Sequence, residues 1–422
     1  MIPRFKPTLG WQELKSILLP SQADNIEQFE QAFAQAMGQK DAVAFPYGRS
    51  ALWTFLKALD IKEAEIIVPA YTCVVVAHAI VLSHNIPKFV DIDLENFNLN
   101  LDLLEAAITP KTKVVVATHL FGFPLDVQTL KQIVLKAEQR FGNKIWIIQD
   151  CAHSFRATHQ GKLVTQVGDA SLFGLNVAKY ITSLSGGMLS FSDLSLADKV
   201  RQYRDQTFIP STLTSLCLRR SYFLANLFAF SNWGYPLIHW LINNTAFIDS
   251  FVKYYDESII NLPKDFQRFL MPVEASLGQL QLEKLSNFEF RRREIAQKYY
   301  RALRDINHLI IPPYNNNATY SHFVALLAPG IEREQYITNF AKAGIEIGYK
   351  LEYCLPVMKS YAQRYHSAPC PNALEASRRI INLPIAPSLR DSQIEKVIQV
   401  IQNYELSQYR VPTSSNNRVT MQ

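Results

Sequence analysis

Residues 145–191, IWIIQDCAHSFRATHQGKLVTQVGDASLFGLNVAKYITSLSGGMLSF, decide the fold class. Three short runs rich in β-branched and aromatic residues, IWIIQ (145–149), DASLF (169–173) and GMLSF (187–191), are separated by turn-forming stretches. The first is apolar at consecutive positions, as expected of a strand covered on both faces. It ends in Asp150, and a carboxylate at the carboxyl end of a parallel strand stands where open α/β sheets place ligand contacts, although such an Asp can equally be a helix cap. Lys179 follows DASLF and is the one charge between Ser171 and Ser192. An isolated lysine among small and apolar residues reads in two ways. Its stem can pack on the core with the ammonium in water, or desolvation can disfavour the ammonium, as a Schiff-base lysine requires.

The same rhythm extends backwards. Candidate strands at 66–68, 88–92 and 113–118 alternate with helical segments, the pattern of βαβ units around a mostly parallel sheet. Tyr47-Gly48-Arg49-Ser50-Ala51-Leu52 follows an apolar run and opens a helix, so backbone N–H groups, a hydroxyl and a guanidinium can converge there. That suits a phosphate, and suits equally an ordinary turn with a capping serine. Forwards, Leu277, Leu280, Phe288, Ile295, Tyr299 and Leu303 recur at helical spacing and predict one long amphipathic helix over 273–306. Residues 308–405 mix a β-like HFVALLAP with helical REQYITNFAKAG and SQIEKVIQVIQNY. The expected organisation is a large α/β domain over 1–270, a linking helix and smaller α+β domain over 271–408, and a polar tail over 409–422.

Composition bounds the function. The chain has 422 residues, 48% hydrophobic and 19% charged, so it buries a sizeable core. A net charge of +6, scattered without a basic block, suits anionic small molecules and does not argue for nucleic acid. Five cysteines, widely spread and with no CxxC pair, speak against a disulfide framework and against a metal site, and a reducing cytoplasm is the simplest setting. No secretory signal is read in MIPRFKPTLGWQELK. Within an apolar insertion at about 208–265, the run 221–248, SYFLANLFAFSNWGYPLIHWLINNTAFI, carries no charge and follows Arg219 and Arg220. Its asparagines, Gly234 and Pro236 argue against a membrane span. It reads as a pair of helices covering a subunit interface or an active-site wall, or as a hairpin resting on a membrane surface through 219–248.

Taken in order, FEQAFAQAMGQKDAVAF before GRSAL, IIVPAYTCVVVAHAI, FVDIDLENFNLNLDLLEAAITPKTKVVVATHLFGFPLDV, QDCAHS, GDASLFGLNVAK with SGGM, LGQLQLEKL, AGIEIG and INLPIAPSLRDSQIEKVI resemble the DegT/DnrJ/StrS family of pyridoxal-phosphate (PLP) sugar aminotransferases. The likeness covers nearly the whole chain apart from 208–265. It implies fold type I, a mostly parallel central sheet with flanking helices and a smaller C-terminal α+β domain. It also implies PLP as cofactor, Lys179 as the Schiff-base lysine and proton carrier, and Asp150 against the ring nitrogen, with His153 covering the ring. Gly48, Arg49, Ser50, Cys73 and Asn176 complete the implied cofactor set, with no metal. The family pattern is altered at five places: Arg49 replaces a threonine, and Cys73 replaces an aromatic that stacks on the cofactor, with Tyr71 a candidate substitute. Gly174 replaces a phosphate-binding serine, a loss Arg49 would offset. Leu184-Ser185 replaces Gly-Glu, and Gln267-Arg268-Phe269-Leu270 replaces a stretch that reaches into the neighbouring subunit. The implied activity moves an amino group from a donor, glutamate in this reading, to a keto sugar linked to a nucleotide, in a homodimer. Two alternatives stand beside it: a sugar dehydratase, whose relatives carry histidine in place of the lysine, and a non-catalytic or regulatory protein on the same fold.

Overall fold

The computed structural model describes residues 1–22, 24–231, 233–244, 256–365 and 367–408, so the polar tail expected at 409–422 lies outside the described residues. The strands are β1 (Asp41–Phe45), β2 (Glu65–Pro69), β3 (Ile86–Val90), β4 (Thr112–Thr118), β5 (Trp146–Asp150), the short hairpin β6 (Thr158–His159) and β7 (Lys162–Leu163), β8 (Ala170–Gly174), β9 (Gly187–Phe191), β10 (Leu309–Ile310), β11 (Phe323–Leu327) and β12 (Ile380–Leu383). Seven form one sheet in the order β1-β9-β8-β5-β4-β2-β3. Its pairs are parallel except where β9 runs against both its neighbours, β1 and β8. Each of the six strands read from the sequence has its counterpart here. β1 is an addition, because DAVAF is short and its alanines carry little β signal.

Helices α1 (Trp11–Leu18), α2 (Asn25–Ala36), α3 (Gly48–Ala58), α4 (Val74–Leu82), α5 (Leu101–Ala107), α6 (Val127–Phe141) and α7 (Leu194–Thr207) accompany this sheet. Their ends follow local chemistry. Asp126 accepts from the Gln128 and Thr129 N–H groups to start α6, and Gly142, at φ +66°, ends it. The sheet is sealed to α2 and α7 by a buried ion pair, Arg204 Nη1 to Glu30 Oε1 at 2.6 Å, and Glu30 also accepts from the Ala44 N–H. β9 passes so close to the first turn of α3 that a Cβ on Gly187 would stand 2.3 Å from the Gly48 nitrogen, so only glycine fits.

The insertion forms α8 (Leu213–Ala229) and α9 (Gly234–Asn244). Among the described residues, no helix is long and apolar enough to cross a membrane. The single long helix expected over 273–306 is two, α10 (Pro272–Glu283) and α11 (Leu285–Leu303), divided at Lys284. Beyond them, β10, β11 and β12 form a three-stranded antiparallel sheet with α12 (Arg333–Lys342), α13 (Lys359–Ala362), α14 (Pro371–Arg379) and α15 (Asp391–Gln408). The first residues of the chain join this part: Ile2 bridges Ile345, and Arg4 Nη1 donates to the Tyr349 carbonyl at 2.6 Å. One apolar core runs through both parts, from Val43 and Val116 to Phe323 and Ile401.

Candidate active site

Because β1, β2, β4, β5 and β8 point the same way, the loops that follow them gather at one edge of the sheet. A cavity of about 320 Å³ opens there, lined among others by Gly48, Arg49, Cys73, Asp150, His153 and Lys179. Seven of the eight residues expected at a cofactor therefore meet at one place, since Asn176 also lines it.

Asp150 ends β5, is 4% exposed, and accepts from the Ala152 N–H at 3.1 Å. Burial raises its pKa, against the pull of the Lys179 charge and hydrogen bonds from Ala152 and Thr118. Lys179 sits on the turn after β8, where its N–H donates to the Asn176 carbonyl and Asn176 Oδ1 accepts from the Ala178 N–H. Burial lowers the Lys179 pKa, while Cys73 and Asp150 work against that shift. Both groups are thus pressed towards their neutral forms. A Cβ on Gly174 would come within 3.2 Å of Lys179 Cε, a tight contact that a small shift of the flexible lysine stem would relieve.

His153 stacks on Phe121, with ring centroids 6.0 Å apart, and its Nδ1 accepts from the Phe121 N–H. Burial first, then the charges of Lys179, His322 and Lys350, hold its pKa well below the usual imidazole range, so it is neutral. Arg49 stands in the first turn of α3 with its guanidinium 5.7 Å from the Tyr47 ring centre. The Tyr47 hydroxyl donates to Asp265 Oδ1 at 2.8 Å, and Arg219 of α8 pairs with Glu274.

Ser50 and Tyr71 stand apart from the cavity lining. Ser50 is fully buried, does not line the cavity, and donates its hydroxyl to the Phe266 carbonyl at 2.6 Å, because the third residue of α3 turns towards the segment before α10. Tyr71 does not take the place of the missing stacking aromatic: it is fully buried against Phe97 and Phe121 and donates to the Leu351 carbonyl. Gln267-Arg268-Phe269-Leu270 is engaged within its own chain, with Arg268 donating to the Pro210 carbonyl and Leu270 buried.

The sequence reading missed Tyr222 and Lys350, both of which line the cavity, as does Tyr47 of the Tyr47–Leu52 stretch. Tyr222 comes from α8, so the insertion walls the site. Lys350 arrives from the C-terminal part, and burial, with the charges of Lys179 and Arg4, pushes its pKa down to about 8. Neither has a local motif. Lys350 stands between Glu346 and Glu352, so nothing in its local charge pattern singles it out.

Comparison with known proteins places the chain among relatives of similar sequence and fold. The chain is 28% identical over 417 residues to the spore coat polysaccharide biosynthesis protein SpsC of Bacillus subtilis, covering 95% of this chain and 96% of that one. It is 29% identical over 411 residues to GDP-perosamine synthase of Escherichia coli O157:H7, covering 96% and 98%. Its fold is similar to that of the aminotransferase TlmJ from Streptoalloteichus hindustanus, with a TM-score of 0.74, 23% identity, and 97% and 99% of the two chains covered. It is also similar to the putative sugar aminotransferase Spr1654 from Streptococcus pneumoniae, with a TM-score of 0.75, 21% identity, and 96% and 100% covered. With the family model matching residues 12–214 and 267–402, on either side of the insertion, the chain belongs to the DegT/DnrJ/EryC1/StrS aminotransferase family.

Proposed function

We propose that this protein moves the amino group of an amino acid, glutamate in this reading, onto a keto sugar carried by a nucleotide, with PLP held between Lys179 and Asp150. An aminotransferase of amino-sugar or polysaccharide biosynthesis is what the family and its relatives support. Lys179 and Asp150 carry the proposal: an amine and a carboxylate, both desolvated, open into one cavity from the ends of neighbouring parallel strands. Lys179 also supports transamination over dehydration.

The residues present fit PLP. Gly48 opens α3 without a side chain, and Arg49 brings a guanidinium to the same turn, a cradle for a phosphate at a helix start. PLP, when bound, supplies an aldehyde and an electron-withdrawing ring that take up an amino group and release it. Burial favours the neutral form of Lys179, the form that would hold the cofactor's aldehyde, and its Nζ would be placed to carry a proton in the transfer. Asp150 Oδ atoms would hold the proton of the ring nitrogen, and that cation would restore the ionised carboxylate that burial disfavours. Neutral His153 covers a ring face without adding a charge. Tyr222 and Lys350 line the same cavity.

A cytoplasmic homodimer belongs to the same proposal. Its contact surface is assigned to the exposed apolar side chains of α8 and α9, in preference to a lipid surface, because Tyr222 makes α8 part of the site itself. An absorbance spectrum of the protein with PLP tests the function. A visible band that glutamate abolishes is expected; a band that glutamate leaves unchanged removes glutamate as donor. Borohydride trapping of the same adduct in Lys179→Ala would remove the lysine.

A further inference from the structure

Beside the cofactor cavity lies a second chamber of about 90 Å³, sharing Ala178 and Lys350 with it and walled by Arg4, Arg292, His322 and Asn382. Two of its walls hold buried polar groups that the protein leaves unanswered. Asn382, on β12, is 1% exposed, and among the described residues neither its Oδ1 nor its Nδ2 has a hydrogen-bond partner. Arg292, on α11, is 4% exposed. Its Nη1 donates to the Ser321 carbonyl at 2.9 Å and its guanidinium lies 4.7 Å from the Tyr180 ring centre, yet its Nε has no partner. A buried amide and a buried guanidinium N–H left open are costly unless something binds them.

The charge balance states what that would be. Arg4, Arg292 and Lys350 bring cations together, and Gly348 makes room for the first, since a Cβ there would stand 2.8 Å from Arg4 Nη1. His322 stays neutral under burial and the charges of Lys350, Arg292, Lys179 and Arg4. The carboxylate nearest in bonding is Glu346, which accepts from the Arg4 backbone N–H and is also engaged by the Tyr235 hydroxyl. Its charge leaves a cationic surplus. We propose that the chamber receives a carboxylate of the amino donor, accepting hydrogen bonds from the Asn382 amide and the Arg292 Nε–H and facing the Arg4 and Lys350 charges, while the donor's amine lies towards Lys179. This rests on the aminotransferase reading and names how that site would tell an amino acid from a plain amine.

Glutarate, a dicarboxylate with no amine, probes the chamber without any chemistry. Calorimetric titration of the PLP-loaded protein should show binding, weakened roughly tenfold or more by Asn382→Leu. Since neither amide atom has a partner among the described residues, the thermal midpoint of that variant should not fall. Arg4→Gln should weaken glutarate similarly and stands in if Asn382→Leu does not fold. Glutarate that binds wild type and both variants equally, or fails to bind wild type at millimolar concentration, overturns the proposal. The donors then locate the carboxylate. If Asn382→Leu impairs L-alanine and L-glutamate alike, the chamber takes the group next to the amine; if it impairs glutamate only, it takes the side-chain group. A wild-type protein that binds glutarate but does not react with glutamate would sink the donor assignment while leaving the chamber standing.

Discussion

The sheet edge around Lys179 and the pair of helices α8 and α9 treat their side chains in opposite ways. At the sheet edge even charged groups are withdrawn from water, with Asp150 at 4% exposure and its lysine and histidine neighbours driven towards neutral forms. In α8 only Phe223 is buried, while Leu218, Leu224 and Phe228 face outwards, and Trp233, just before α9, is 90% exposed. Burial of charge that the fold does not need marks a site kept for chemistry, and apolar surface that the fold does not use marks a site kept for contact.

The sharpest way to break this contrast is to remove the buried amine. Lys179→Ala should lower single-turnover transamination on the order of 10³-fold, read by the visible spectrum, with folding retained. Next is the buried pair that fixes the sheet to α7. Arg204→Met leaves Glu30 without its 2.6 Å partner and should cost about 3 kcal/mol in urea denaturation. A smaller effect tests whether Lys350 is desolvated. Its folded pKa of about 8 lies below its ordinary 10.5, so between those values the unfolded chain binds more protons and stability rises with pH. Lys350→Met should remove that rise, and parallel stability curves for the two proteins from pH 8 to 10 would contradict the shift. The smallest effect belongs to the helices: Trp233→Ser with Trp240→Ser should change stability by no more than about 0.5 kcal/mol while weakening the dimer in sedimentation. An unchanged dimer, with wild type floating on anionic vesicles and the variant not, would transfer this surface to lipid.

What could be read from the chain follows from where its information lies. IWIIQ and KVVVAT declare doubly covered strands through consecutive apolar residues, and Asp150 and Lys179 are conspicuous because they interrupt apolar surroundings. Ser50 was ambiguous because a hydroxyl near a helix start can serve a ligand or the fold, and the Phe266 carbonyl that takes its hydrogen bond comes from a segment more than two hundred residues away. The helix over 273–306 was read as continuous because its apolar spacing persists through Lys284, where the chain nevertheless divides. Arg4, Lys350 and Asn382 were invisible as a group, since Arg4 stands more than three hundred residues from the other two and joins them only in the folded chain.

The insertion departs from and returns to nearly one point. Ile209 N–H donates to the Gln267 carbonyl, and Phe269 N–H donates back to the Ile209 carbonyl. Such a clasp holds the two ends of the stretch together whatever path the chain takes between them. A change of length beyond α8 would therefore leave both joints in place, whereas α8 itself is tied down by Tyr222 at the cavity and by Arg219 on Glu274.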